Sequence, residues 1–257
     1  MRIVVSFIIL LIICNTALAQ LRCAELFEKQ NIPQASVKEF LPKKNSVHYI
    51  QMVTDLRQQI LSTQSFGVID FTKILPKDLV EFWIQSFPHD RQAWLQDNQL
   101  EVVNPTTGYS ENIKKPIETI RSIQIVEKWL KVFVEDVLQT SLNKQGSNLD
   151  IRNSFKGQNH VSAGGWHVDG GRVSISLSLR GPGTEILGPL PAAAVKSGNF
   201  DKNLEKICKS CFPFMVKPGH AVVFFGTGIA DIDPKLLPTV HRTPSFDEDR
   251  MLILFRN

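Results

Sequence analysis

The sequence lacks any cluster of basic charge. Its 29 lysines and arginines against 25 acids leave a formal charge of +4, and no lysine or arginine run is longer than two residues. A pI near 8.9 spread so thinly excludes the concentrated footprint of a nucleic-acid surface. Beyond the extreme N-terminus there is no apolar run approaching the ~20 residues that cross a bilayer. There is no glycosylation sequon either, since Asn104-Pro-Thr carries the excluded proline. Repeats and low-complexity tracts are also missing, and 257 residues at 43% apolar composition suffice for one sizeable core. Cysteine is scarce, with only 4.

What is present begins with a leader. Residues 1–19 join Arg2, an apolar run from Ile3 to Cys14 and Ala17-Leu18-Ala19, the pattern of a secretory signal peptide cleaved before Gln20. The expected destination is the secretory pathway, whether endoplasmic reticulum lumen, periplasm or the extracellular space, with no permanent membrane span after cleavage. Loss of Cys14 leaves Cys23, Cys208 and Cys211, an odd set. Cys208-Lys-Ser-Cys211 lies in a charged connector, where a local disulfide is the expectation for an exported chain and thiol exchange or zinc the alternatives. A lone pair of this spacing lacks the second pair of a structural zinc site.

Two regions follow the leader. Residues 20–145 read as mainly helical. Ser46 caps an amphipathic helix to Thr63 whose stripe is Val47, Ile50, Val53, Leu56 and Ile60; a short strand is expected at Phe66–Phe71 and a helix from Pro76 to Phe87. Gln92–Lys115 shows no sustained period and reads as irregular. The longest helix, Pro116–Leu142, carries Ile120, Ile123, Val126, Leu130, Phe133, Val137 and Leu138 on one stripe, so it is expected to pack on the outside of a sheet. From residue 146 to 257 the period turns to two, with short candidate strands at 148–155, 172–179, 184–187, 212–216, 221–225, 239–242 and 250–255. Their number and length suit a jelly roll with the helices outside, an α+β fold whose core is a double-stranded β-helix.

The chemistry concentrates in Ser162–Glu185. His167 and Asp169 are two apart, so in extended backbone both leave the same face and can converge on one ion. Val173–Leu179 alternates apolar residues with serines, the pattern of a half-buried strand. Later in the chain, His241 precedes Arg250 by nine residues, and Arg250 heads the strand Met-Leu-Ile-Leu-Phe. The polar segment between them reads as a hairpin loop that would set His241 and Arg250 on neighbouring antiparallel strands. An arginine within an apolar strand calls for an anionic partner, and a carboxylate answers it with two parallel hydrogen bonds. Arg242, next to His241, should face the other way.

Two histidines and a carboxylate on one metal face form the facial triad of non-haem iron oxygenases. On His167-Val-Asp169, His241 and Arg250 the chain resembles the iron(II)- and 2-oxoglutarate-dependent dioxygenase superfamily. The run Arg180-Gly-Pro-Gly-Thr-Glu185 is similar to that of a group of bacterial proteins within it. The resemblance covers roughly the last hundred and ten residues. It implies His167, Asp169 and His241 as Fe(II) ligands and Arg250 as the partner of the far carboxylate of 2-oxoglutarate. It also implies O2 as co-substrate, with succinate and carbon dioxide released as an unidentified substrate is hydroxylated. Trp166, Arg172, Arg180 and His160 border the motif and are candidates for the substrate side. His48 and His89 read as structural or exposed, and His220, in a turn, is not expected to be a ligand. Two rivals stand beside this reading: a cupin-like divalent-metal protein that needs the three ligands but not Arg250, and a secreted binding module without metal.

Overall fold

The computed structural model describes residues 34–87, 91–96, 99–103, 116–142, 148–154, 165–189, 213–243 and 249–256. The leader, Cys23, His89, His160, Cys208, Cys211 and most of the segment between His241 and Arg250 lie outside the described residues. The chain divides into compact units Met1–Ser36 and Val37–Asn257, and nearly all that follows concerns the second.

In chain order the helices are α1 (Gln34–Phe40), α2 (Val47–Thr63), α3 (Lys77–Ser86) and α4 (Pro116–Leu138). The strands are β1 (Phe66–Asp70), β2 (Arg91–Gln96), β3 (Gln99–Val103), β4 (Asn148–Ser154), β5 (Val173–Arg180), β6 (Glu185–Pro189), β7 (Phe214–Met215), β8 (His220–Phe225), β9 (Thr239–Arg242) and β10 (Arg250–Arg256). They form a seven-stranded sheet in the order β1-β8-β5-β10-β4-β2-β3 and a three-stranded sheet β7-β6-β9. Each described pairing is antiparallel.

Local chemistry accounts for the helices. Ser46 accepts a hydrogen bond from the Tyr49 amide at 3.2 Å, and Gln64, in the left-handed region at φ 59°, closes α2 by returning its N–H to Ile60. The buried face of α2 is Tyr49, Leu56 and Ile60, whereas Val47 and Ile50, expected on the core stripe, are 87% and 54% exposed. Tyr49 decides the rotation. Its ring meets Trp129 and Phe133 edge-on and its hydroxyl donates to Asp136 at 2.7 Å, so the larger aromatic takes the core position. Along α4, Ile120, Ile123, Val126, Leu130, Phe133 and Val137 are buried as their spacing requires. Each such side chain contributes about 1.5–3 kcal/mol relative to exposure.

Three expectations about the sheet need correction. The segment around 92–103 is not irregular: β2 and β3 pair with each other, and β2 joins β4 from Arg91↔Asn153 to Leu95↔Leu149. Pairing to a neighbouring edge supplies order that the one-dimensional pattern does not announce. Next, β5 is not half-buried. Its apolar residues line the helix side, where Val173 and Ile175 share a small cavity with Glu127 and Lys131 of α4. Ser174, Ser176 and Ser178 face the other way and are also buried, at 2%, 1% and 0%. That second face meets the small sheet, because Ser174 and Ser176 pair with Phe224 and Val222, and these pack with Leu254 against Ile186 of β6. Finally, β9 and β10 are not hairpin partners: β9 pairs with β6 in the small sheet, and β10 lies between β5 and β4 in the large one. The polar segment after His241 therefore crosses from one sheet to the other.

Candidate metal centre

The site lies where the small sheet ends. His167 and His241 form an isolated antiparallel bridge, each amide donating to the other's carbonyl at 2.9 Å. Directly opposed residues share a face, so the two imidazoles lie side by side with ring centroids 4.4 Å apart. Phe224 of β8 covers the other side of His241, also at 4.4 Å between centroids. Asp169 completes the group. Its Oδ1 is 4.0 Å from His167 Nε2 and 3.6 Å from His241 Nε2. One ligand atom from each residue lies within 4.8 Å of the others, so the three could hold a metal ion.

Each donor is fixed by a bond on its far side. His167 Nδ1 donates to the Gly165 carbonyl at 2.9 Å and His241 Nδ1 to the Thr239 carbonyl at 3.1 Å. A ring that spends its Nδ1 proton on a carbonyl keeps the Nε2 lone pair for a metal. Thr239 is held in turn, its hydroxyl donating to the Ser65 carbonyl at 2.6 Å while accepting from Ser65 Oγ and the Phe225 amide. Ser174 Oγ donates to Asp169 Oδ2 at 2.6 Å, leaving Oδ1 toward the histidines. The backbone is equally constrained: the Asp169 carbonyl accepts from Thr227 N at 2.9 Å, and a Cβ on Gly226 would run into the carbonyls of Gly171 and Asp169.

Burial pushes His241 down to about 4, with His167 and Arg256 acting in the same direction against Asp169 and the Thr239 carbonyl. The ring is thus neutral at neutral pH, the protonation state a metal requires. Two imidazoles and a carboxylate are a donor set that suits iron(II), and the bonds on their far sides are those expected of residues that hold such an ion.

The remaining sequence candidates are dispersed. Arg250 is 3% exposed at the head of β10, and burial, reinforced by the Arg152 cation, pushes it down to about 10. Arg152 is set diagonally from it on the adjacent strand, opposite Leu252, and pairs with Asp150 at 2.6 Å. Arg172 reaches Asp231 at 3.7 Å. Arg180 donates to Asn153 at 3.0 Å, and Asn153 donates to the Phe87 carbonyl, which puts that guanidinium on the helix side of the sheet and away from the triad. Trp166 packs with Val168 and Leu187 on Val240, under the Arg242 guanidinium 4.2 Å from its ring centroid, and Arg242 pairs with Glu185. Both residues thus sit on the face of β9 opposite His241. His220 hydrogen-bonds the Pro218 carbonyl and lies 3.8 Å from Asp70, not at the triad.

Two residues at the site, Ser174 and Arg256, are missed by sequence reasoning. Arg256 closes β10 opposite Ser174, and its Nε lies 4.0 Å from Asp169 Oδ2. The available signal for Ser174 is its place on the strand that Asp169 leads into.

No family model matches the chain, nor does any curated protein. Solved structures do. A full-length Neurospora crassa protein, solved in complex with alpha-KG and 5-formyluracil, is 11% identical, over 85% of this chain and 81% of its own, at TM-score 0.51. A Pseudomonas putida prolyl-4-hydroxylase is 13% identical over 80% and 98% at TM-score 0.45. The Arabidopsis thaliana dioxygenase for auxin oxidation, solved with 2-oxoglutarate, is 10% identical over 83% and 90% at TM-score 0.46. The chain thus shares its fold with the Neurospora crassa protein solved with alpha-KG, and its His167, Asp169 and His241 could hold a metal ion.

Proposed function

We propose that this protein is an iron(II)- and 2-oxoglutarate-dependent oxygenase that hydroxylates a substrate not yet identified, on a double-stranded β-helix core. The observation that carries the reading is the triad with its outer bonds: Nε2, Nε2 and Oδ1 turned to one point, and Nδ1, Nδ1 and Oδ2 each tied back to the protein.

His167, Asp169 and His241 would hold the ion, which when bound with the 2-oxo acid supplies the oxidative chemistry that releases succinate and carbon dioxide. The residues supply the rest. The carbonyls of Gly165 and Thr239 fix both imidazoles in one tautomer, so no proton must move before a ligand bond forms. Phe224 and the neighbouring inner-face residues Val222 and Leu254 form an apolar wall that excludes water behind His241. Arg250, buried at the head of β10, is assigned the far carboxylate of the co-substrate.

The test is anaerobic loading of the purified protein with iron(II), followed by 2-oxoglutarate and oxygen, with succinate measured. Stoichiometric iron and slow succinate release without added substrate are expected, and both should vanish in His167→Ala. Iron retained with no response to 2-oxoglutarate would favour a cupin-like metal protein, and failure to bind any divalent ion would leave a binding module.

A further inference from the structure

We propose that Ser174 and Arg256 are positioning residues that hold Asp169 to a single metal-facing oxygen. The inference rests on the metal centre proposed above. A carboxylate can present one oxygen to an ion or both, and the choice changes how many positions stay open. An octahedral ion bound by two imidazoles and one carboxylate oxygen keeps three open positions, which a bidentate 2-oxo acid and oxygen would fill. A second oxygen from Asp169 would take one of the three.

The geometry around Asp169 opposes that second bond. Oδ2 accepts the Ser174 hydroxyl at 2.6 Å, and Ser174 is 2% exposed in an interior strand, with little freedom to follow a swinging carboxylate. The β5–β10 register sets Arg256 directly opposite Ser174, and its Nε lies 4.0 Å from the same oxygen. That nitrogen is buried and makes no hydrogen bond, so its pull on Oδ2 is that of a charge. Backbone rotation is blocked as well, by the Thr227 amide on the Asp169 carbonyl and by Gly226 packed against it. To offer both oxygens, the carboxylate would have to rotate Oδ2 away from a hydroxyl and a cation at once.

Manganese(II) serves as the probe, because broadening of its resonance in ¹⁷O-enriched water counts bound waters directly. The wild-type protein should show three waters on the ion, falling to one when 2-oxoglutarate chelates it. Ser174→Ala and Arg256→Gln should each move the count toward two and raise the dissociation constant of 2-oxoglutarate by about tenfold or more, the usual scale for an outer-shell partner. Arg256→Lys, which keeps the cation, should restore three. Should Ser174→Ala not fold, the Arg256 pair decides alone, since that side chain is at the strand end and 40% exposed. Three waters in both Ser174→Ala and Arg256→Gln would overturn the proposal. A wild type with three waters but no response to 2-oxoglutarate would sink the co-substrate reading while leaving the variants to judge Asp169.

Discussion

The two ends of β10 carry arginines of opposite character. Arg250 and Arg256 stand on the same face of one strand, six residues apart, yet Arg250 is 3% exposed and Arg256 has 40% of its side chain in solvent. The first lies deep between the sheets beside a second cation, Arg152, and the second lies at the rim beside Asp169. A buried guanidinium is costly to desolvate and is suited to gripping an anion that arrives, while a half-exposed one can bias a neighbouring carboxylate without binding anything itself. In the proposed reading, one strand would serve both the co-substrate, through Arg250, and the metal ion, through Arg256.

The largest effect should come from removing the metal end altogether. Asp169→Ala or His241→Ala is expected to abolish iron binding, read by metal analysis after anaerobic loading, while the buried Arg250 end keeps its fold. Next is Arg250→Met, which should leave iron stoichiometry unchanged and weaken 2-oxoglutarate by about 1.5–3 kcal/mol, seen by calorimetry on metal-loaded protein. A changed water count on manganese(II) in Arg250→Met, like that expected for Arg256→Gln, would erase the contrast between the two ends. A third, comparable effect concerns the loop under Asp169. Gly226→Ala forces a Cβ into two carbonyls and should cost about 1–3 kcal/mol of stability, whereas Gly170→Ala meets nothing within 4 Å and should be near neutral in the same denaturant titration.

The smallest expected effect lies in the helical layer, away from both ends. Tyr49→Phe removes the bond to Asp136 and should cost about 1 kcal/mol. Slight burial pulls the Asp136 carboxyl upward, but the Tyr49 hydroxyl and Lys44 outweigh it and hold the group below its usual range. A depressed carboxyl contributes stability above its unfolded pKa and loses it as pH falls through the folded value. Tyr49→Phe should therefore flatten part of the acid limb of a stability profile. An unchanged profile would mean that Lys44 alone holds Asp136.

Much of the site is legible because its signals are local. His167 and Asp169 announce themselves through two-residue spacing, and His241 through a short strand in the same β-rich half. The helix caps at Ser46 and the stripe of α4 are likewise written into neighbouring residues. What escapes depends on partners far along the chain. Alternation in β5 suggests one wet face, but in two packed sheets both faces are dry, and one of those serines is the second anchor of Asp169. The stretch between His241 and Arg250 has hairpin composition, and composition alone does not say whether a connection returns to its own sheet or crosses to the other. Val47 and Ile50 fit a helical period, yet Tyr49 offers more area and a hydrogen bond. The pairing of β2 and β3 comes from the free edge of β4, which no local pattern encodes.

The bridge between His167 and His241 would also tie a bound metal ion to the folding equilibrium. Two of the three donors come from segments about seventy residues apart, and the mutual amide bonds that align them exist only once the strands have met. An unfolded chain offers scattered histidines of ordinary affinity, so an ion at a hundred times its dissociation constant would stabilise the native state by about 2.7 kcal/mol through mass action. On the proposed iron(II) reading, iron supply would then govern lifetime as well as turnover, with the metal-starved fraction opening more often and being the first lost to proteolysis.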